Sequence, residues 1–276
     1  MTSAAIVIPS ADIERRLPVV AAVRDAGAIA WRNLITYRRV PQLLVFSTIQ
    51  PVIFVLMFRY VFGGAIKIPG GVPYVDFLMP GIFVQTVVFG AMAAAIGLAT
   101  DLKTGLLERF RTLPMSRSAV LAGRTLADMS RNVFVIALMV LVGVAVGFRV
   151  HTSMLEVIAG LLLVLLFSYA MSWVFALVGL AVGDPETSQA AAFPVLAPLV
   201  FASSAFVPVS SMPTWLQGFA LHQPVSAVIT AVRDLTLGAQ ATGGSTGTDA
   251  IQALAWCAGI LVVFAPLAVW RYRRTV

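Results

Sequence analysis

The sequence predicts an all-α integral membrane protein. Hydrophobic residues make up 59% of its 276 residues and charged residues only 11%, whereas soluble domains carry about 25% charged residues. Six apolar stretches are long enough, or nearly so, to cross a bilayer as helices, which takes roughly 20 residues. The charged residues lie beside these stretches and not on one soluble face. The net charge of +7 therefore indicates membrane topology and argues against a nucleic-acid partner.

The six predicted spans make up a transmembrane domain over residues 43–270. Pro51 is expected to kink the first span, and Pro194 and Pro198 interrupt the short fifth span. Residues 1–17 are predicted to be a flexible cytoplasmic N-terminus, and residues 271–276 a cytoplasmic tail. The predicted spans cover residues 43–62, 77–99, 126–148, 155–182, 190–207 and 251–270.

The basic residues predict the orientation of the chain, because cytoplasmic loops of membrane proteins carry an excess of Lys and Arg. With the N-terminus inside, fifteen of the 19 basic residues lie on the cytoplasmic side, including Arg124 and Arg131. The sequence therefore predicts that both termini are cytoplasmic. The four basic residues left on the outer side are Arg59, Lys67, Arg149 and Arg233.

Residues 18–39 have the pattern of an amphipathic helix that lies in the membrane interface. Apolar residues share one helical face, and Trp31 is placed to lie at the level of the lipid headgroups. The opposite face carries the arginines Arg24, Arg32 and Arg39.

The charged stretch at residues 101–124 separates the second span from the third. Wound as a helix, it places Leu102, Leu106 and Phe110 on one face and Glu108 and Arg111 on the other. A proline at residue 114 ends the helix, because its ring fixes φ and removes a backbone donor. This pattern predicts a short amphipathic helix at the cytoplasmic surface, suited to contact with another protein.

The loop between spans five and six predicts two short amphipathic helices on the outer side, within residues 213–237. Neither is long enough to cross the membrane. We therefore expect a re-entrant helical hairpin, which is tolerated where its turn is buried in protein or faces water. Its candidate residues for an outer cap of the pathway are Trp215, Phe219 and Arg233.

Two stretches carry a resemblance to a known family. LLERFRTLPMSRSAVLAGR at 106–124 resembles the signature loop of ABC-2 type permeases. FVPVSSMPTWLQGFALHQPVSAVITAVRDLTLG at 206–238 resembles the conserved block near the end of the same proteins. Together they are similar to the daunorubicin/doxorubicin-resistance type of ABC-2 permease, and the resemblance runs from about Trp31 to the C-terminus.

The resemblance implies the permease subunit of an ATP-driven exporter in the bacterial plasma membrane. It implies two permease subunits, as a homodimer or a heterodimer, and two separate ATPase subunits that bind ATP and Mg. The implied cargo is a small hydrophobic or amphipathic drug, antibiotic or lipid. The residues that match the family's coupling helix, which contacts the ATPase, are Gly105, Leu106, Leu107, Glu108, Arg109, Phe110, Arg111, Thr112, Leu113 and Pro114.

No Gly-Lys pair occurs in the sequence, so this chain has no Walker A phosphate loop and ATP would have to be bound by another polypeptide. Two alternatives remain open. An ion-coupled secondary transporter usually has midplane acidic groups and internal repeats, and neither is evident here. A membrane-embedded serine hydrolase depends on Ser245, whose G-x-S-x-G match lies in a Gly/Ser/Thr-rich tether and lacks the strand before it.

Polar residues are sparse inside the spans, which suits a weakly polar pathway for cargo. Each could equally form a hydrogen bond between helices. His151 and His222 lie far apart and have no metal-ligand spacing, so no metal site is expected. Gly143/Gly147 and Gly179/Gly183 are predicted to be small-residue packing faces. The candidate pathway residues are Gln50, Gln85, Ser168, Tyr169, Ser172, Ser203 and Ser204.

Overall fold

The computed structural model describes residues 42–66, 68, 71–105, 117–239 and 243–275. These residues are mostly helical and contain no strand, which confirms the predicted all-α class. The predicted interfacial helix at 18–39 lies outside the described residues, as do residues 106–114 of the predicted coupling helix.

Eight α-helices follow one another along the described part of the chain. A π-helical turn over Phe58–Phe62 continues α1, and a 3₁₀ turn over Val209–Ser211 precedes α6. The helices are α1 (Gln42–Met57), α2 (Tyr74–Lys103), α3 (Arg117–Val146), α4 (Met154–Val182), α5 (Pro185–Phe201), α6 (Thr214–His222), α7 (Pro224–Leu237) and α8 (Thr246–Thr275).

Four of these helices, α2, α3, α4 and α8, are long and apolar enough to cross a membrane. The helix α1 with its π-helical turn contains a shorter apolar stretch, Thr48–Phe62. The helix α5 is 17 residues long and contains Pro194 and Pro198. The described residues are therefore consistent with an integral membrane protein, and the full count of six spans stays a prediction.

The helix α2 lies at the centre of the fold and packs against α3, α4, α5 and α7. Its closest neighbour is α4, whose Gly179 lies against the backbone of Ala95. A Cβ atom at Gly179 would lie 2.8 Å from the Ala95 Cα. Such a close approach of two helix backbones requires a residue without a side chain, as in other small-residue contacts between membrane helices.

In each of the two predicted small-residue faces, one glycine packs against another helix and the other ends its own helix. Gly143 packs against Met79 and Gly179 packs against Ala95. Gly147 and Gly183 instead follow the ends of α3 and α4, with φ of 105° and 77°. Positive φ costs glycine little, so these residues end their helices instead of joining the packing face.

A short turn joins α4 to α5. Asp184 caps the N-terminus of α5 by accepting a hydrogen bond from the backbone N–H of Thr187 at 3.0 Å. Pro185 occupies the first helical position, where its missing N–H costs no hydrogen bond. The Asp184 carboxylate is thereby fixed beside the end of α2.

Candidate functional site

A cavity of about 170 Å³ lies between α1, α2 and α3. Most of its wall is apolar and includes Phe89, Met92 and Val135. Polar side chains from all three helices interrupt this apolar wall. They are Gln50 of α1, Gln85 and Thr86 of α2, and Arg131 and Asn132 of α3.

A buried hydrogen-bond network joins α2, α3 and α4 beside the cavity. Arg131 Nη2 donates to the carbonyl oxygen of Gly90 at 2.6 Å. Asn132 Nδ2 donates to Ser168 Oγ of α4 at 2.6 Å. Arg131 Nη2 also donates to Asn132 Oδ1, at 3.4 Å. In a low-dielectric interior such bonds are strong, and they fix the relative positions of the three helices.

Gly90 makes this network possible. A Cβ atom at residue 90 would lie 2.8 Å from Asn132 Oδ1 and 3.2 Å from Arg131 Nη2. Any side chain at residue 90 would therefore displace the Arg131 guanidinium, which donates to the α2 backbone, and the Asn132 amide, which donates to Ser168 of α4. Gly90 lies near the middle of α2, so the network is well inside the helical bundle.

Of the described residues that line the cavity, only Gln85 has a buried hydrogen-bond acceptor without a partner. Its side chain is only 3% exposed, and its Oε1 atom has no hydrogen-bond partner in the described part of the chain. Thr86, by contrast, donates its hydroxyl to the Ile82 carbonyl of its own helix at 2.7 Å. A buried acceptor without a partner is costly, and because this atom is itself buried, a molecule in the cavity could reach it only after the Gln85 side chain moved.

The structure brings together three of the seven predicted pathway residues. Gln50 and Gln85 line the cavity, and Ser168 joins its wall through Asn132. Tyr169 and Ser172 lie elsewhere on α4: the Ser172 hydroxyl donates to the Tyr169 carbonyl at 2.7 Å. Tyr169 also forms an edge-to-face pair with Trp173, with ring centroids 6.2 Å apart. The remaining two, Ser203 and Ser204, lie beyond the end of α5.

Arg131 and Asn132 were not among the predicted site residues. Arg131 was counted with the basic residues of the cytoplasmic side, and the structure shows its side chain 8% exposed against Gly90. Arg131 is seven residues beyond Arg124 on α3, about 10 Å deeper along the helix axis. An adjacent Arg-Asn pair inside the predicted span 126–148 was the signal available, because such residues in spans usually face the bundle interior.

Two ion pairs lie at the other end of α2. Asp101 pairs with Arg124 of α3, and Lys103 pairs with Asp184 at 2.8 Å. The Lys103 ammonium and the Thr187 donors lower the pKa of Asp184 to about 2. Gly105, the only described residue of the predicted coupling helix, follows with φ of 67°. The described chain on each side of residues 106–116 is therefore tied to neighbouring helices.

Arg233 attaches the pair α6–α7 to α2 at the opposite end. Its guanidinium lies 3.7 Å from the centroid of the Phe77 ring. Its Nη2 donates to the Phe77 carbonyl at 3.1 Å and to the Ser204 carbonyl at 2.9 Å. Trp215 and Phe219 are instead 78% and 46% exposed. Of the three predicted cap residues, only Arg233 is buried.

The described residues contain no group of three or more His, Cys, Asp and Glu side chains that could hold a metal ion. Ser245 immediately precedes α8, its backbone N–H donates to Asp249 Oδ2 at 3.2 Å, and its hydroxyl accepts from Thr248 at 3.4 Å. No strand precedes it in the described chain. These contacts are those of a helix N-terminus and not of a nucleophile elbow.

Comparison with known proteins agrees with this architecture. The family model of the ABC-2 type transporter matches residues 24–237. The chain is 36% identical over 243 residues to the daunorubicin resistance ABC transporter permease protein DrrB1 of Streptomyces coeruleorubidus, covering 88% of this chain and 84% of the relative. It is also 29% identical over 229 residues to the probable doxorubicin resistance ABC transporter permease protein DrrC of Mycobacterium tuberculosis, covering 83% and 80%. The chain therefore belongs to the ABC-2 type transporter family, with permeases of the daunorubicin and doxorubicin resistance type among its relatives.

Proposed function

We propose that this chain is the permease subunit of an ATP-driven exporter in the bacterial plasma membrane. It crosses the membrane six times, with both termini in the cytoplasm. Two such subunits, identical or different, work with two separate ATPase subunits that bind ATP and Mg. Membership of the family supports a permease role, and the missing Gly-Lys pair supports an ATP site on another polypeptide.

The proposed cargo is a small hydrophobic or amphipathic molecule. Two relatives are named for resistance to daunorubicin or doxorubicin. The cavity between α1, α2 and α3 supports this class of cargo, because its wall is largely apolar with a few polar side chains. Ligand sites in proteins commonly have this composition. The α6–α7 pair would form a re-entrant cap on the outer side.

The proposed mechanism depends on the two ion pairs at the end of α2. Residues 105–114 would contact the ATPase on the cytoplasmic surface. The chain entering this segment is tied to α5 through Lys103–Asp184, and the chain leaving it is tied to α2 through Arg124–Asp101. A displacement of residues 105–114 would therefore move α2, α3 and the α4–α5 turn together, as in rigid-body switching between two facing states.

Co-purification of an ATPase with the chain tests this proposal. The tagged full-length chain is purified from membranes of its own host, and the ATP hydrolysis recovered per permease is measured. Glu108→Ala and Arg111→Ala are expected to lower the affinity for the ATPase about tenfold each, because each removes a charged contact. Both variants should retain the wild-type helical content.

Trp215→Ala is the matched control, because Trp215 is an exposed side chain on the α6–α7 pair at the other end of the molecule. It should leave the recovered ATPase activity unchanged. The proposal fails if Glu108→Ala and Arg111→Ala both recover and use the ATPase like the wild type. It also fails if the purified chain moves cargo without any nucleotide, which would favour an ion-coupled transporter.

A further inference from the structure

The last turns of α8 carry two exposed arginines, Arg273 and Arg274. Neither guanidinium takes part in an ion pair or a hydrogen bond within the described part of the chain. The Arg274 guanidinium instead lies 4.1 Å from the centroid of the Trp270 ring, which is itself exposed. The ring orients this cation but does not neutralise its charge. Two neighbouring cations without a counter-charge attract an anionic molecule.

The opposite face of the same turns is fixed to the helical bundle. The Tyr272 side chain is 2% exposed and belongs to a buried cluster with Leu98 of α2 and Leu180 of α4. Arg271 Nη2 donates to the Ala181 carbonyl of α4 at 3.4 Å. The end of α8 is therefore held in place, and its two exposed arginines lie on the outward face.

This outward face continues an exposed apolar face of α8. Val263, Leu267, Trp270 and Arg274 follow one another at spacings of four, three and four residues, so they share one side of the helix. Val263 and Leu267 are both exposed. Because α8 is long and apolar enough to cross a membrane, the apolar part of this face contacts acyl chains there. A molecule on the whole face would need an apolar part and an anionic end.

The length of the face matches the thickness of one leaflet. Eleven residues separate Val263 from Arg274, which is about 16 Å along a helix axis. Half of the bilayer's hydrocarbon core is about 15 Å thick. With Val263 near the midplane, the arginines therefore lie at the level of the lipid phosphates. Trp270 then lies in the interface, where tryptophan is enriched in membrane proteins.

We infer that this face of α8 binds an anionic phospholipid, with its phosphate at Arg273 and Arg274 and its acyl chains along Val263 and Leu267. A lipid satisfies both parts of the face with one molecule, whereas an acidic soluble protein would contact the arginines alone. A zwitterionic headgroup would bring its own cation beside the two arginines, which disfavours it. The assignment of the lipid to the cytoplasmic leaflet rests on the proposed topology, but the binding itself does not.

Native mass spectrometry of the purified full-length chain in detergent tests this inference. Phosphatidylglycerol and phosphatidylcholine with identical acyl chains are titrated separately, so that the two lipids differ in their headgroups alone. One basic residue near a membrane surface changes the affinity for an anionic lipid about fivefold. The wild type is therefore expected to bind phosphatidylglycerol at least about fivefold more tightly than phosphatidylcholine.

Arg273→Gln and Arg274→Gln are each expected to weaken phosphatidylglycerol binding about fivefold and to leave phosphatidylcholine binding unchanged. Both positions are exposed, so both variants should keep the wild-type helical content. Arg149→Gln is the matched control, because it removes the same charge from an exposed arginine at the opposite end of the bundle. The Arg149 guanidinium donates to the carbonyls of Val144 and Phe148. This control should change neither affinity.

The inference is overturned if the wild type binds the two lipids equally, or if both arginine variants bind phosphatidylglycerol like the wild type. Glycerol 3-phosphate, which has a phosphate but no acyl chains, should not displace the lipid at equal concentration. Displacement would assign the arginines to a soluble phosphate instead. Lower ATPase recovery by the arginine variants with unchanged lipid binding would assign them to the ATPase, and would also overturn the inference. A wild-type chain that recovers no ATPase but prefers phosphatidylglycerol would refute the proposed function alone.

Discussion

The contact between Gly179 and Ala95 offers a sharp test of how the bundle is held together. It joins α4 to α2 at a point between the cavity at Gly90 and the ion pair at Asp101. In the variant Gly179→Ala, the new Cβ would lie 2.8 Å from the Ala95 Cα and 2.9 Å from its carbonyl carbon. Ordinary contact begins at 3.4 Å. The two backbones must therefore separate by more than about 0.6 Å, because the carbonyl oxygen of Ala95 lies closer still to the new Cβ.

Overpacking of this kind costs about 1–3 kcal/mol, and alanine regains up to about 1 kcal/mol over glycine within a helix. Gly179→Ala should therefore lower the free energy of unfolding by up to about 2 kcal/mol, and should leave it about 1–3 kcal/mol below that of Gly259→Ala, a control in α8 that gains the same helix propensity. Reversible unfolding in mixed micelles, followed by circular dichroism, measures this change. In the control Gly259→Ala the new Cβ meets nothing within 4 Å, so the stability should be unchanged or slightly higher. Equal stability of the two variants would refute the close backbone contact.

Two further predictions concern polar contacts. Ser168→Ala should lower the free energy of unfolding by about 0.5–1.5 kcal/mol, because Asn132 loses its acceptor. In the double variant with Asn132→Leu, the total loss of stability should be smaller than the sum of the two single losses. Asp184→Asn removes the ion pair with Lys103. Because the pKa of Asp184 is lowered from 3.8 to about 2, the stabilisation is complete above pH about 4 and lost as the pH falls through about 2. Urea unfolding should therefore show a constant difference from the wild type between pH 5 and 8 that disappears near pH 2.

The helices inside the bundle could be predicted well where the sequence carries both a start signal and a stop signal. Ser153 and Glu156 form a capping box at the start of α4, and Gly183 ends it. The helix runs from Met154 to Val182, against a predicted span of 155–182. Hydrophobicity and capping both act locally, so a single sequence contains them.

The bounds of α5 were harder to predict, because its first turn is polar. The predicted span was 190–207, whereas the helix begins at Pro185 and ends at Phe201. Asp184 and Pro185 are helix start signals, but the predicted span followed hydrophobicity alone. After Phe201 the chain contacts the residue before α7, where Gln223 Nε2 donates to the Ala202 carbonyl at 2.7 Å. That contact spans 21 residues, so no local pattern contains it.

The cavity could be predicted only in part for the same reason. Gln50 and Gln85 were candidates because they are polar residues within apolar spans. The position of Arg131 depends on Gly90, a residue 41 positions earlier in the chain that exposes a backbone carbonyl to it. The charge rule treats each arginine by its neighbours in sequence, so it could not show that the Arg131 side chain is buried against α2.

The segment around residues 105–114 is proposed to be exposed to the cytoplasm, where an ATPase can reach it. The single cysteine of the chain, Cys257, is buried, so a Cys257→Ala background allows one cysteine to be added at a time. Thr104→Cys, at an exposed position beside the segment, should react with a membrane-impermeant maleimide only after the plasma membrane is opened. Trp215→Cys, on the α6–α7 pair, should react in intact spheroplasts. Labelling of Thr104→Cys in intact spheroplasts would show that the segment lies on the outer side, where no ATPase can reach it.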